Sequence, residues 1–365
     1  MNLIPVEYYT LIYYNLLLFV VVLFYVQATQ LAIDDPLNLR NKRNWGNVLA
    51  LLIILYIGLR PISGRYFGDM RTYAGIFERY AAGEAVRTGK DVYFEHFMKW
   101  CSSVMSVETF FFICALLYVL PLYFAAKKLF AEYWFYAFMM LVVSMSFWAY
   151  GTNGIRNGIG TSLFILAISF PDKKIRIAIF LLALLFHQSI LIPILAYLLA
   201  LFHKKPKHFL IFWFLSIPLS AVLGGFWESF FLDFGFGETD RLLGYLGDEE
   251  NDFQEQFSSV GFRWDFVLYS ATGVFAGWYY IFKKKFEDPF YATLYSTYLI
   301  ANSFWILIIR ATFSNRFSYL SWFMLGIIII YPLLINKFFP KQHLVVVRIL
   351  LIYFLFTYFI NLVFA

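Results

Sequence analysis

The chain has 365 residues, 61% of them hydrophobic in type and only 14% charged, with a mean hydropathy of +0.69 and a formal net charge of +6. A soluble domain runs at roughly 45–50% apolar and about 25% charged, so a water-soluble fold would have to hide more apolar surface than its core can hold. That excludes a soluble enzyme, a disulfide-framed secreted scaffold and a disordered tail. It leaves an all-α polytopic membrane protein, because lipid admits only structures whose backbone polar groups are satisfied internally.

A hydrocarbon core needs about 20 mostly apolar helical residues. In chain order, about ten transmembrane helices are predicted near 8–28, 46–60, 109–126, 133–150, 157–170, 209–227, 265–282, 289–309, 316–336 and 346–364. Residues 1–30 lack a basic n-region and a small-residue cleavage site, so the first span is expected to stay. Residues 177–202 carry His187, Gln188 and Pro193 between two apolar runs, with Lys at both flanks. Placing every short basic linker inside puts the N-terminus outside and both ends of 177–202 on one face. This predicts a re-entrant hairpin of two half-helices meeting near His187–Ser189; one ordinary span, with another boundary shifted, is the alternative. The whole reads as one integral membrane domain, 1–365. Its extracytoplasmic loops lie near 61–108 and 228–263, and helical pattern is expected around Tyr73–Ala82 and Val92–Val104.

This topology sorts the cations. Thirteen Lys and four Arg fall inside with six acids, and two Lys and ten Arg fall outside with seventeen acids. The guanidinium is a planar fork that grips phosphate and carboxylate bidentately, whereas Lys is a flexible point charge. An outer face selected for orientation alone would show no Arg bias, so an extracytoplasmic site for a multiply charged anion is expected. The alternative is that these arginines pair with the outer acids.

Five stretches can carry chemistry. In RPISGRYFGDMRTY, Arg65 and Arg71 can hold phosphate while Asp69 and Tyr73 bind sugar hydroxyls, or the stretch is a basic turn anchored at headgroups. In YGTNGIRNGIG a helix begins beside Arg156, and its amides plus that one charge make an anion site; Gly158 and Gly160 also permit close helix packing. His187 lies between two apolar runs. With an ordinary pKa near ~6.5 it can accept or donate a proton, or as a neutral ring it bonds a neighbouring carbonyl and stabilises the hairpin. In GFRWDF, Arg263 and Asp265 either pair with each other or read phosphate and a sugar hydroxyl, with Trp264 stacking on a sugar face. In IRATFSNRF, a short turn brings Arg310 and Arg316 together, and like charges so placed repel unless an anion or carboxylate joins them. No cluster points to a bound metal, so no metal or other cofactor is expected. Paired arginines can do the electrostatic work instead.

Together these motifs resemble the Wzy-type polysaccharide polymerases, and more closely the EpsG-like family. The resemblance rests on the span spacing, the GRYFGDMRTY loop (similar to an R-x-G-T-D-x-x-x-Y-like pattern), the Arg156 element and Phe186-His187-Gln188-Ser189. It extends to GFRWDF and Asn315-Arg316-Phe317. Gly68-Asp69 lacks the intervening Thr of that pattern.

The resemblance implies a GT-C-like, inverting glycosyltransferase that joins undecaprenyl-diphosphate-linked repeat units into O-antigen, capsule or exopolysaccharide. It would sit in the bacterial cytoplasmic membrane with its active site facing the periplasm or exterior. Its partners would be the lipid-linked glycan donor and acceptor, membrane lipids and a chain-length regulator, with no nucleic acid. Under it, His187 and then Asp69 are candidate bases, and Arg65, Arg71, Arg156, Arg310 and Arg316 candidate diphosphate ligands. Tyr73, Arg263, Trp264 and Asp265 are candidate glycan contacts. An integral-membrane O-acyltransferase and a lipid-linked oligosaccharide flippase are the alternatives.

Overall fold

Helix starts follow their capping residues. Asp35 accepts the N–H groups of Leu37 and Asn38 just ahead of Pro36; Ser106, Asp172 and Asp288 open later helices in the same way. An acceptor side chain there satisfies first-turn amides that have no partner in the helix. The computed structural model describes residues 4–86, 91–231, 262–310 and 314–362, with no strand among them.

The helices are α1 (Tyr9–Ala28), α2 (Pro36–Gly58), α3 (Gly64–Phe67), α4 (Met70–Ala81), α5 (Val92–Val104), α6 (Val107–Phe130), α7 (Trp134–Val142), α8 (Met145–Thr152), α9 (Ile155–Ile168), α10 (Lys173–Phe186), α11 (Leu191–Phe202), α12 (Pro206–Phe231), α13 (Trp264–Trp278), α14 (Pro289–Leu307), α15 (Ser314–Trp322), α16 (Leu325–Ile335) and α17 (Gln342–Leu362).

The chain forms two compact units, one from Met1–Leu191 with Ile330–Ala365 and the other from Ile192–Ile329. In the first, α9 packs on α6 and α10, α2 packs on α6, and α1 packs on α17. Tyr358 of α17 donates its hydroxyl to Asn15 of α1 at 3.0 Å. A knot of aromatics fastens the start of the chain: Tyr9 and Tyr56 donate to each other's carbonyls at 3.0 and 2.8 Å, and Tyr13 stacks on Trp148 at 4.2 Å. Burying these rings with their hydroxyls bonded combines large apolar area with polar satisfaction.

In the second unit, α12 packs on α14, and α14 on α15. Its centre is Asn302, which accepts from Trp213 Nε1 at 2.7 Å and donates to the hydroxyls of Ser270 and Ser321 at 3.0 and 2.9 Å. A buried amide so surrounded leaves few orphan groups, as an apolar surround demands.

Among the described residues, five helical stretches are long and apolar enough to cross a membrane: Val6–Ala28, Val107–Val142, Pro206–Leu223, Arg316–Ile335 and Gln342–Leu362. Ile155–Ile168 and Gln188–Phe202 are shorter apolar helices. Large apolar side chains such as Phe19, Leu51, Leu181 and Leu268 stand outward on the helix surfaces, which suits a surround of lipid.

One feature departs from the sequence pattern and one follows it. The expected span 133–150 is two helices, interrupted at Val143–Ser144, where Ser144 is extended and its hydroxyl donates to Leu141 O at 2.7 Å. The expected hairpin 177–202 is two half-helices, α10 and α11, separated by extended His187 (φ −157°, ψ 125°) and a 3-10 turn at Gln188–Ile190. Most of the expected loop 228–263 lies at 232–261, outside the described residues.

Candidate active site

Three segments of the first unit converge on one carboxylate. α4 and α5 are amphipathic, burying Met70, Tyr73, Ala74, Phe77 and Tyr80 on one helix and Phe94, Met98 and Cys101 on the other. That spacing of three and four residues lays both helices flat on the unit. α5 begins at Asp91, whose backbone is left-handed (φ 58°, ψ 37°) and whose side chain makes no cap bond to its own helix.

The Asp91 side chain turns instead to distant segments. Its Oδ2 lies 2.9 Å from Arg156 Nη1 and 3.6 Å from His187 Nε2, and its Oδ1 accepts the Gln188 N–H at 2.9 Å. Side-chain exposure is 5% at Asp91 and 11% at Arg156. An ion pair this dry holds only if its remaining hydrogen-bonding groups are also met.

Arg156 is the second residue of α9, placed there by close packing. A Cβ on Gly158 would lie 2.8 Å from Tyr150 O, and one on Gly160 would lie 2.6 Å from Ile190 Cγ1. These glycines let α9 approach both α8 and the break after α10. Arg156 Nε donates to the Tyr73 hydroxyl at 3.1 Å, and the guanidinium lies near the Tyr73 and Phe94 rings. Nε and Nη1 are thus anchored, while Nη2 makes no bond to another described residue.

His187 caps the 3-10 turn. Its Nδ1 accepts the Ser189 N–H at 3.1 Å and lies 2.7 Å from the Ser189 hydroxyl, which donates to Asn157 Oδ1 at 2.7 Å. A nitrogen accepting from a peptide N–H carries no proton, which assigns the neutral ring's proton to Nε2, on the Asp91 side. Alongside, Tyr80 donates to Glu95 at 2.7 Å.

The structure joins the first three sequence stretches in this unit. Asn153 Oδ1 accepts the Asp69 N–H at 2.9 Å, so the GDMRTY turn is fastened next to the Arg156 element. Asp69 is half-buried; Arg65 and Arg71 are exposed on the same turn. Tyr73, expected on a sugar hydroxyl, is 4% exposed and holds Arg156. Arg60, just before this turn, is buried. It donates through Nη1 to Ile57 O and through Nη2 to Thr152 O at 3.1 Å, bridging the C-terminal carbonyls of α2 and α8.

The other two stretches lie in the second unit. Arg263 and Asp265 form a bidentate pair at 2.9 and 2.6 Å, with the guanidinium over the Phe266 ring, and Trp264 is exposed. Gly261 of that motif is outside the described residues. Arg310 is exposed and donates to Ala221 O at 3.3 Å, Arg316 is half-buried, and residues 311–313 between them are outside the described set.

Sequence reasoning assigned no role to Asp91, Asn153, Asn157 or Ser189. The only local signal at Asp91 is an acid directly before an amphipathic run, which reads as an ordinary helix cap. Among the described residues no group of three or more His, Cys, Asp or Glu is placed to hold a metal ion.

Fold and cluster together define an all-α integral membrane protein with a buried Arg–Asp–His centre. Residues 43–365 match the family model of the EpsG family, and the chain belongs to that family. No curated protein and no solved structure matches the chain.

Proposed function

We propose that the protein is a polysaccharide polymerase, an inverting glycosyltransferase. It joins undecaprenyl-diphosphate-linked oligosaccharide units at the outer leaflet of the bacterial cytoplasmic membrane, within a GT-C-like architecture. The observation that carries this reading is EpsG family membership across nearly the whole chain, which supports a polysaccharide-polymerase role.

The geometry of the first unit suits the chemistry. An acceptor hydroxyl attacks the anomeric carbon, the bond from that carbon to the diphosphate oxygen breaks, and negative charge grows on the departing phosphate. Only interactions stronger in the transition state than in the ground state accelerate this step. Arg156, held by Tyr73 and Asp91, offers its Nη2 edge to that charge without having to reorganise, which is where electrostatic stabilisation is largest. Arg65 and Arg71 are exposed cations on the neighbouring turn, and Arg310 and Arg316, in the second unit, are assigned as further diphosphate ligands. The acceptor's proton is assigned to His187, at Nδ1 once the Ser189 N–H releases it, or to Asp69. The glycan contacts are assigned to Arg263, Trp264 and Asp265, and a chain-length regulator is the expected protein partner.

The test is reconstitution. Full-length protein in proteoliposomes, supplied with a lipid-diphosphate oligosaccharide, should yield a ladder of oligomers; no ladder from folded protein overturns the reading. Deletion in the host should leave single repeat units on the final acceptor, whereas loss of a flippase leaves none outside. Arg156→Ala, Arg310→Ala and Arg316→Ala should each abolish polymer while the protein still inserts. Normal polymer from any two of them removes the diphosphate clamp.

A further inference from the structure

We infer that Asp91 is the positioning residue of this site, fixing the Arg156 fork through Nη1 and the His187 ring with its Nε2 toward the carboxylate. The inference rests on the polymerase reading for its kinetic arm only.

The carboxylate is almost fully buried and its partners come from two distant segments: it pairs with Arg156 Nη1 at 2.9 Å, accepts the Gln188 N–H at 2.9 Å and lies 3.6 Å from His187 Nε2. Burying a carboxylate is costly unless it is paired and hydrogen-bonded, and its close partners among the described residues belong to the site. The backbone adds a second cost. Asp91 stands at φ 58°, a left-handed conformation that non-glycine residues adopt seldom and that concentrates at functional sites. An aspartate serving its own helix would cap α5, and Asp91 makes no such bond.

The consequences for its neighbours are specific. With Nε on Tyr73 and Nη1 on Asp91, the guanidinium plane is fixed, and among the described residues Nη2 is left for a phosphate oxygen. With Nδ1 accepting from Ser189 and Nε2 toward Asp91, the imidazole cannot flip without losing both contacts. Asp91 therefore touches the group assigned to the phosphate and the group assigned to the proton, and a small misplacement of either costs turnover steeply.

The test compares wild type, Asp91→Asn and Asp91→Glu as full-length protein in proteoliposomes. Asn keeps the size, the tolerance of left-handed backbone and an acceptor for Gln188, and replaces the charged oxygen that faces Arg156 and His187 by an amide NH2. It should lower kcat by about tenfold to a hundredfold while KM for the lipid-diphosphate oligosaccharide stays within about threefold. Asp91→Glu should recover part of the rate. Asp91→Asn should cost less in an Arg156→Lys background than in wild type, because the part of its effect that acts through the Arg156 guanidinium is already lost.

Phenylglyoxal provides a readout that needs no turnover: Arg156 should be modified faster in Asp91→Asn, with exposed Arg65 unchanged. An unchanged Arg156 modification rate, wild-type kinetics in Asp91→Asn, or full additivity with Arg156→Lys each overturns the assignment. A wild type that makes no oligomers sinks the polymerase reading, while the modification arm still decides whether Asp91 holds Arg156.

Discussion

Asn153 Oδ1 accepts the Asp69 N–H at 2.9 Å, across 84 residues of sequence. The bond forms because Gly68, at φ 52°, brings its backbone so close that a Cβ there would lie 2.5 Å from Asn153 Oδ1. Gly68→Ala meets both this contact and a backbone region reserved for glycine, so it should destabilise by about 1–3 kcal/mol. Gly75 in α4 has ordinary backbone and open space around it, so Gly75→Ala should be neutral or stabilising by up to about 1 kcal/mol. Thermal melts of the two variants in detergent check the contrast.

Arg156→Ala leaves the Asp91 carboxylate buried without its main partner. Breaking one side of such a pair costs about 3–5 kcal/mol, so the variant should melt lower as well as lose polymer. Arg156→Lys keeps the charge but lacks the planar fork and cannot serve Tyr73, Asp91 and a phosphate together. It should restore the melt more fully than the polymer yield per folded protein.

Arg60 should behave the opposite way. Its guanidinium joins the carbonyl ends of α2 and α8, where cations are favoured by the helix dipoles. Arg60→Met leaves those carbonyls short of donors, at a cost of roughly 1–3 kcal/mol. The melt should fall while turnover per folded molecule holds, a split measured by normalising polymer to monodisperse protein.

His187→Ala removes both an N-cap, worth about 1 kcal/mol, and the proposed base. Polymerisation measured over pH 6–8 separates the two. Near-normal turnover throughout removes the proton role and leaves the cap. Ser189→Ala deletes the link to Asn157 while sparing the backbone N–H that binds His187, and should lower activity only modestly.

The two cysteines should be silent to thiol reagents. Cys101 and Cys114 are 0% and 2% exposed, and burial raises the Cys101 thiol above its ordinary pKa, so little of the reactive thiolate is present at neutral pH. Wild-type protein in membranes should show no maleimide labelling, giving a clean background for single cysteines placed beside Arg156 and Arg316. Labelling of both positions from the cytosol would reverse the proposed orientation.

What the sequence makes visible is what depends on local periodicity. The spacing of apolar residues predicts helix around Tyr73–Ala82 and Val92–Val104, and the helices are Met70–Ala81 and Val92–Val104. A polar Phe186-His187-Gln188-Ser189 stretch between two apolar runs predicts a break, and the break is there. The interruption at Val143–Ser144 is not visible, because two serines, Ser144 and Ser146, inside an apolar run leave the pattern unchanged. Asp91 is invisible for another reason: its bond to Gln188 spans 97 residues, and no local pattern reports such a meeting. Arg60 and Arg156 look alike as outer arginines; only burial against helix carbonyls or against a carboxylate tells them apart.

The bond from Tyr358 to Asn15 spans 343 residues, and it joins α1 to α17. At about 5–20 residues per second, α1 leaves the ribosome roughly 20–70 s before α17 does. Throughout that interval the side of α1 that will meet α17 faces lipid or an insertion factor, and the first unit stays open while the second is synthesised in its middle. A nonsense codon ahead of α17 would therefore strand α1 as well as delete α17.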